Sequence, residues 1–163
     1  MALIPRLQKL LDDHKVPYEV LPHREAFTAQ KVAQEAHVSG RLLAKAVIVR
    51  EPDDTFYMAV VTAAQHVDLD LIHHVSGHPR GTLATEGDLL MLFPDCEPGA
   101  MPPIGKLWDV PTYIDVVFRG HQDIYFQAGN HREVVKMNWY DFERVAGPFA
   151  GEFLLHREEA RSN

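Results

Sequence analysis

The first apolar residues fall on one helix face: Leu3, Ile4, Leu7, Leu10 and Leu11, with Arg6, Gln8, Lys9, Asp12 and Asp13 between them. That spacing predicts an amphipathic helix closed before Pro17. Val16 to Leu21 reads as a short strand. Thr28 caps a second helix through Ala36, although Lys31 stands where a capping box needs Glu or Gln. A period of two then takes over. From Leu43 to Arg50 the alternation sets Lys45, Val47 and Val49 on one face and Ala46, Ile48 and Arg50 on the other. Glu51-Pro52-Asp53-Asp54 is turn chemistry, and Thr55 to Ala63 is rich in β-formers, so the two strands form a hairpin.

Asp68 to Val75 predicts a short helix stopped by Ser76-Gly77 and Pro79. Thr85-x-x-Asp88 is a capping-box variant ahead of Leu89, Leu90, Leu92 and Phe93, and Pro94 ends that helix. Three more strands are expected, Thr112 to Phe118, Asp123 to Gln127 and Glu133 to Met137. Asn138 and Asp141 open a last helix that Gly147-Pro148 closes. Helices interleave with hairpin-linked strands and no regular βαβ repeat occurs. The pattern is that of an α+β fold with an antiparallel or mixed sheet.

Composition adds bounds. The 163 residues suit one domain, here residues 1–155, with a charged tail at 156–163. No apolar run is long enough to span a membrane, and the N-terminus lacks a secretion signal. A single cysteine, Cys96, fits a reducing cytoplasm. The net charge of −7 argues against a broad nucleic-acid groove but leaves room for a pocket that takes only the end of a nucleic acid.

Candidate chemistry gathers in two places. Lys45 shares a strand face with two valines, where an ammonium either finds a partner or snorkels to water from the strand's end. The stretch Cys96 to Gly105 contains three of the 11 prolines and two of the 10 glycines. Stiffened by proline, such a loop aims its remaining donors, the N–H groups of Gly99, Ala100, Met101, Ile104 and Gly105, at a carbonyl oxygen or a water. It also suits a structural corner. Cys96 invites a nucleophile reading, but no local signature supports one, and a lone cysteine after an apolar helix reads as packing. His73, His74 and His78 lack the helical register of a zinc site, because Gly77 and Pro79 intervene. No phosphate-binding glycine loop, dinucleotide fingerprint or nucleophile elbow occurs, and no metal or cofactor is expected.

Several segments together resemble the YbaK/prolyl-tRNA-synthetase-associated editing domains. They are Val16-Pro17-Tyr18, Thr28-Ala29-Gln30-Lys31-Val32-Ala33 and Leu43-Ala44-Lys45-Ala46-Val47-Ile48-Val49. Gly99-Ala100-Met101-Pro102-Pro103-Ile104-Gly105 follows, with Gly99 and Pro103 at the fixed positions of that family's G-x-x-x-P loop. Ala128-Gly129-Asn130, ahead of Glu133-Val134-Val135, stands where the family has a glycine turn lining the pocket. The likeness runs from Leu3 to Val145.

The resemblance implies a curved mixed sheet, partly barrel-like, with helices around it. It also implies a free-standing hydrolase that cleaves the ester of wrongly charged tRNA, typically alanine or cysteine on the proline tRNA. Carried over by position, Lys45 holds the terminal adenosine or its phosphate. Gly99, Ala100 and Met101 fix the carbonyl and the attacking water, Pro103 sets the loop, and Pro103, Gly105, Gly129 and Asn130 line the pocket as substrate-binding residues. The expected partners are the tRNA acceptor end and prolyl-tRNA synthetase. Pro102 departs from the pattern, since many relatives carry a small hydroxyl or similar residue before the loop's proline. Two other readings stand beside this one: a non-catalytic module of the same fold that binds a tRNA end or a synthetase, and a hydrolase built on Cys96.

Overall fold

A computed structural model describes residues 3–155; the predicted charged tail lies outside them. Among the described residues eight strands form one mixed sheet: β1 (Tyr18–Pro22), β2 (Leu43–Arg50), β3 (Phe56–Thr62), β4 (Thr82–Leu83), β5 (Thr112–Asp115), β6 (Asp123–Gln127), β7 (Glu133–Asn138) and β8 (Phe149–Gly151). They lie in the order β1-β7-β6-β2-β3-β5-β8, with β4 added to β2. The β1–β7, β6–β7, β2–β3 and β2–β4 pairs are antiparallel. The β2–β6, β3–β5 and β5–β8 pairs are parallel. The sheet is open, with β1 and β8 at its ends.

Local chemistry accounts for the element ends. The β2–β3 turn closes through Glu51 N–H to Thr55 O at 2.8 Å, with Asp54 at φ 67°. Among the described residues five α-helices follow the expected order: α1 (Pro5–Asp13), α2 (Ala29–Glu35), α3 (Leu69–Ser76), α4 (Glu86–Leu92) and α5 (Trp139–Ala146). Thr28 accepts only the Lys31 N–H, at 3.2 Å, whereas Thr85 and Asp88 complete both arms of a capping box. Asp68 and Asn138 each accept two N–H groups at the starts of α3 and α5. Both helices end on a left-handed glycine, Gly77 at φ 74° and Gly147 at φ 58°.

The structure shortens one predicted strand and adds elements. β5 stops at Asp115, not at Phe118, because the Asp115 carboxylate accepts the Val117 N–H at 2.9 Å and the Phe153 N–H at 2.8 Å. That capping turns Val116–Gly120 into a 3-10 helix. A second 3-10 turn, Gly105–Trp108, follows the proline-rich loop. The two- and three-residue strands β4 and β8 are too short to show a period.

The main core lies on one sheet face. Ile48, Met58, Val60, Phe126 and Val135 pack there with Leu7 and Leu11 of α1 and Phe142 and Val145 of α5. The other face carries two separate clusters. Val49, Tyr57, Ala59 and Val61 pack with Ile72 of α3 and with Phe153, while Leu43, Ala63 and Val134 pack with Val32 and Ala33 of α2. Along β2 the first cluster holds Val49 and the second Leu43, which leaves Lys45 between them.

Candidate functional site

β2 shares one edge between two partners. β6 pairs with it only at Leu43 and Ala44, and β4 only at Val49 and Arg50. Leu42 O accepts the Tyr125 N–H, Leu43 O the Ala63 N–H from the β3 side, and Ile48 O the Ala84 N–H. Backbone groups alternate along a strand, so the even-numbered residues face the divided edge. Ala46 therefore turns its N–H and C=O into the split where β6 leaves. A cavity of about 470 Å³ opens at this split, lined by Lys45, Ala46, Ala63, His66, Gly99 and the start of α2 from Phe27 to Gln30. Its volume is within the ~300–1,000 Å³ of small-ligand sites.

Lys45 is half-buried, and its Nζ donates to Gln65 O at 3.0 Å. Among the described residues no carboxylate pairs with it, and burial lowers its pKa from the ordinary value. The ammonium is neither a core charge nor a freely snorkelling one. One donor is tied to the turn after β3, and two remain for a ligand.

The proline loop begins as a tight turn. Ala100 N–H donates to Glu97 O at 3.0 Å, Pro98 fills the second position and Gly99, at φ 86°, the third, the arrangement of a type II turn. The turn is held from the β6–β7 side. Glu97 N–H donates to Gly129 O at 2.9 Å, and Gly129 N–H to Ala100 O at 3.0 Å. Gln127 Nε2 donates to Gly99 O at 3.2 Å, and His131 Nε2 lies 3.0 Å from Pro98 O. A carbonyl only accepts, so Nε2 carries the His131 proton. In a trans peptide the N–H points opposite the C=O; with Pro98 O held by His131, the Gly99 N–H projects away from that ring.

This bonding sorts the expected site residues. Gly99 is exposed and shares the cavity with Lys45, whereas Ala100, Met101, Pro103 and Gly105 are buried behind it. Of the five expected loop donors, three are spent: Ala100 on Glu97, Ile104 on Pro102 O, and Gly105 on Thr112 Oγ1 at 3.1 Å. Gly99 and Met101 keep their N–H groups free of a protein acceptor among the described residues. Gly105 belongs to the base of the loop, where a Cβ would strike Thr112 and Val110. Gly129, at φ 97°, anchors the turn, and an added Cβ would meet the Ile4 side chain. Asn130 spends its amide on Glu133 and its carbonyl on the Arg132 N–H. Neither Gly129 nor Asn130 is among the residues lining the cavity.

His131 has no motif of its own and was not singled out from the sequence, although it directly follows the Ala128-Gly129-Asn130 turn. It is 5% exposed, its N–H donates to Glu97 at 3.1 Å, and its ring meets Phe27 edge-on at 5.1 Å. Cys96 is buried, and burial pushes its thiol pKa up to about 12, the opposite of an activated nucleophile. His78 bridges Glu51, at 2.6 Å, and the Tyr113 hydroxyl, at 2.9 Å, and its carbonyl accepts from His73 Nδ1. These histidines tie the segment after α3 to the ends of β2 and β5.

With this geometry in view, residues 23–145 match the family model of the aminoacyl-tRNA editing domain. The chain belongs to that family. No curated protein sequence matches it. Among solved structures, a candidate trans-editing enzyme for prolyl-tRNA synthetase superposes with a TM-score of 0.77 at 20% identity, covering 95% of this chain and 100% of its own. A hypothetical protein gives 0.81 at 14% identity, with 92% and 99% covered. A protein from Marinobacter aquaeolei VT8, assigned to signal transduction, gives 0.73 at 14%, covering 95% of this chain and 31% of its own. At these identities the editing domain shares a fold with its neighbours, and in the last it is one part of a larger chain. No helix among the described residues is long and apolar enough to cross a membrane.

Proposed function

We propose that this editing domain is a trans-acting deacylase that hydrolyses the ester of mischarged aminoacyl-tRNA, alanine or cysteine on the proline tRNA. The observation that carries this reading is the meeting of Lys45 and Gly99, from distant parts of the chain, at one cavity beside the split in the sheet. In the reaction a water oxygen bonds to the ester carbonyl carbon. The bond from that carbon to the ribose oxygen then breaks, leaving a free amino acid and a tRNA hydroxyl that takes up the proton.

An aminoacyl ester is already activated, so positioning and stabilisation of the oxyanion matter more than a strong side-chain base. The Gly99 N–H is suited to the oxyanion, and a single such donor is worth about 10²–10³ in rate. Lys45 supplies the charge that fixes the terminal adenosine or its phosphate. The proton acceptor is a group of the substrate, a ribose hydroxyl or the cysteine thiol. Prolyl-tRNA synthetase is the partner this substrate implies.

A deacylation panel over tRNAs charged with different amino acids tests the proposal. Release of alanine or cysteine from proline tRNA, abolished by Lys45→Ala, is the expected result. Release from none of them, with tRNA-end binding intact, would make the chain a non-catalytic binding module. Full turnover by Lys45→Ala would remove the role given to that lysine.

A further inference from the structure

A second and larger cavity, of about 820 Å³, adjoins the Lys45 pocket across the turn that follows β3. The two share one wall residue, His66. The larger one is lined by Arg41, from the segment before β2, by His121, after the 3-10 helix Val116–Gly120, and by apolar surface from Val117 and Leu155. Among the described residues none that lines it is acidic, in a chain whose net charge is −7. Arg41, His66 and His121 are all exposed, and among the described residues the Arg41 guanidinium pairs with no carboxylate. A cation with no carboxylate partner among the described residues, beside two imidazoles and an apolar floor, is suited to a strand that alternates phosphates with ribose and base.

The partition between the cavities is well braced. Ala64 N–H donates to Gly40 O at 3.1 Å, Gln65 N–H to Thr62 O at 3.0 Å, and Leu155 N–H to His66 O at 2.8 Å. Thr62 Oγ1 donates to Gln65 Oε1 at 3.0 Å. The same turn offers Gln65 O to Lys45. Whatever lies in one cavity is thus registered against the other through a fixed turn of four residues, 63–66.

We infer that the larger cavity is the track for the single-stranded 3′ end of the RNA. On this reading the nucleotides before the terminal adenosine cross His66, with Arg41 against a phosphodiester and His121 donating to the same stretch of backbone. The inference rests on the proposed deacylase reading for what occupies the Lys45 pocket. It adds where the rest of the strand goes, and it explains how an acidic protein holds a polyanion: through a short local contact rather than a broad basic face.

The test is binding of an uncharged RNA minihelix ending in CCA, followed by fluorescence anisotropy across a salt series, beside binding of free adenosine. Arg41→Ala is expected to weaken minihelix binding about three- to tenfold, Arg41→Glu more, and Arg41→Lys little. The slope of log affinity against log salt should fall by about 0.7 for the phosphate lost. Adenosine binding should not change. His121→Ala should weaken the minihelix in the same sense. Minihelix affinity and salt slope left as in the wild type by both Arg41→Ala and Arg41→Glu would overturn the track, and so would failure of the wild-type protein to bind the minihelix. Absence of amino-acid release with Arg41-dependent minihelix binding would instead sink the deacylase reading and leave the track standing.

Discussion

At the scale of single residues, a half-buried ammonium with one carbonyl partner is kept at some cost to the fold. Burial sets the Lys45 pKa below its ordinary 10.5. Below the folded-state pKa both folded and unfolded chains hold the proton, and only the folded one carries the desolvation cost; as pH rises through that pKa the cost falls away. Lys45→Met is therefore expected to melt no lower than the wild type at neutral pH, with any advantage narrowing as pH approaches about 10.5, while turnover is lost. Calorimetry at both pH values checks it. His131 holds the turn through Pro98 O and is not among the residues lining the Lys45 cavity. His131→Ala frees Pro98 O and should lower kcat about 10-fold or more with KM little changed, accompanied by a shift of the Gly99 amide resonance. A fall in stability alone, with kcat and that resonance unmoved, would leave His131 only a structural residue. Cys96 should resist thiol reagents until the protein unfolds, and Cys96→Ala should keep full activity.

Elements show what the sequence did and did not disclose. Helix starts were legible where a side chain signs them, as at Thr85 and Asn138, and β2 was legible from its alternation and β3 from its β-forming residues. The end of β5 was not, because Asp115 caps both its own following turn and Phe153, 38 residues on. A local pattern cannot register such a partner. The loop was half legible. Its glycines and prolines announced a stiff turn with aimed donors, and Gly99 and Lys45 do meet. Which donors remain free depends on Gly129, Thr112 and Glu97, so Ala100 and Gly105 could not be set apart from Gly99 by sequence. Gly129 then becomes the element's test. Gly129→Ala places a Cβ at φ 97° against Ile4 and should cost about 1–3 kcal/mol in denaturant unfolding. Ile4→Ala in the same chain should return only the steric part, since the backbone strain remains.

For the whole molecule, the narrow join between β6 and β2 has a mechanical meaning. Lys45 belongs to the half-sheet β2-β3-β5-β8, whereas the Gly99 turn is fastened to the half-sheet β1-β7-β6 through Gln127, Gly129 and His131. The two leaves are paired through only two residue pairs between β2 and β6, Leu43 with Tyr125 and Ala44 with Phe126. The common core spans that join, packing Ile48, Met58 and Val60 of one leaf with Ile124, Phe126 and Val135 of the other. Phe126→Leu should therefore lower kcat/KM further than its modest loss of stability, about 1 kcal/mol, would suggest. Equal losses in activity and in folded population would show the leaves to be rigid without it. The jaw width of this editing domain, the gap from ammonium to turn, then depends on its core, and hydrogen exchange at Tyr125 N–H, which crosses the join to Leu42 O at 3.3 Å, is expected to slow on addition of an RNA that touches both leaves.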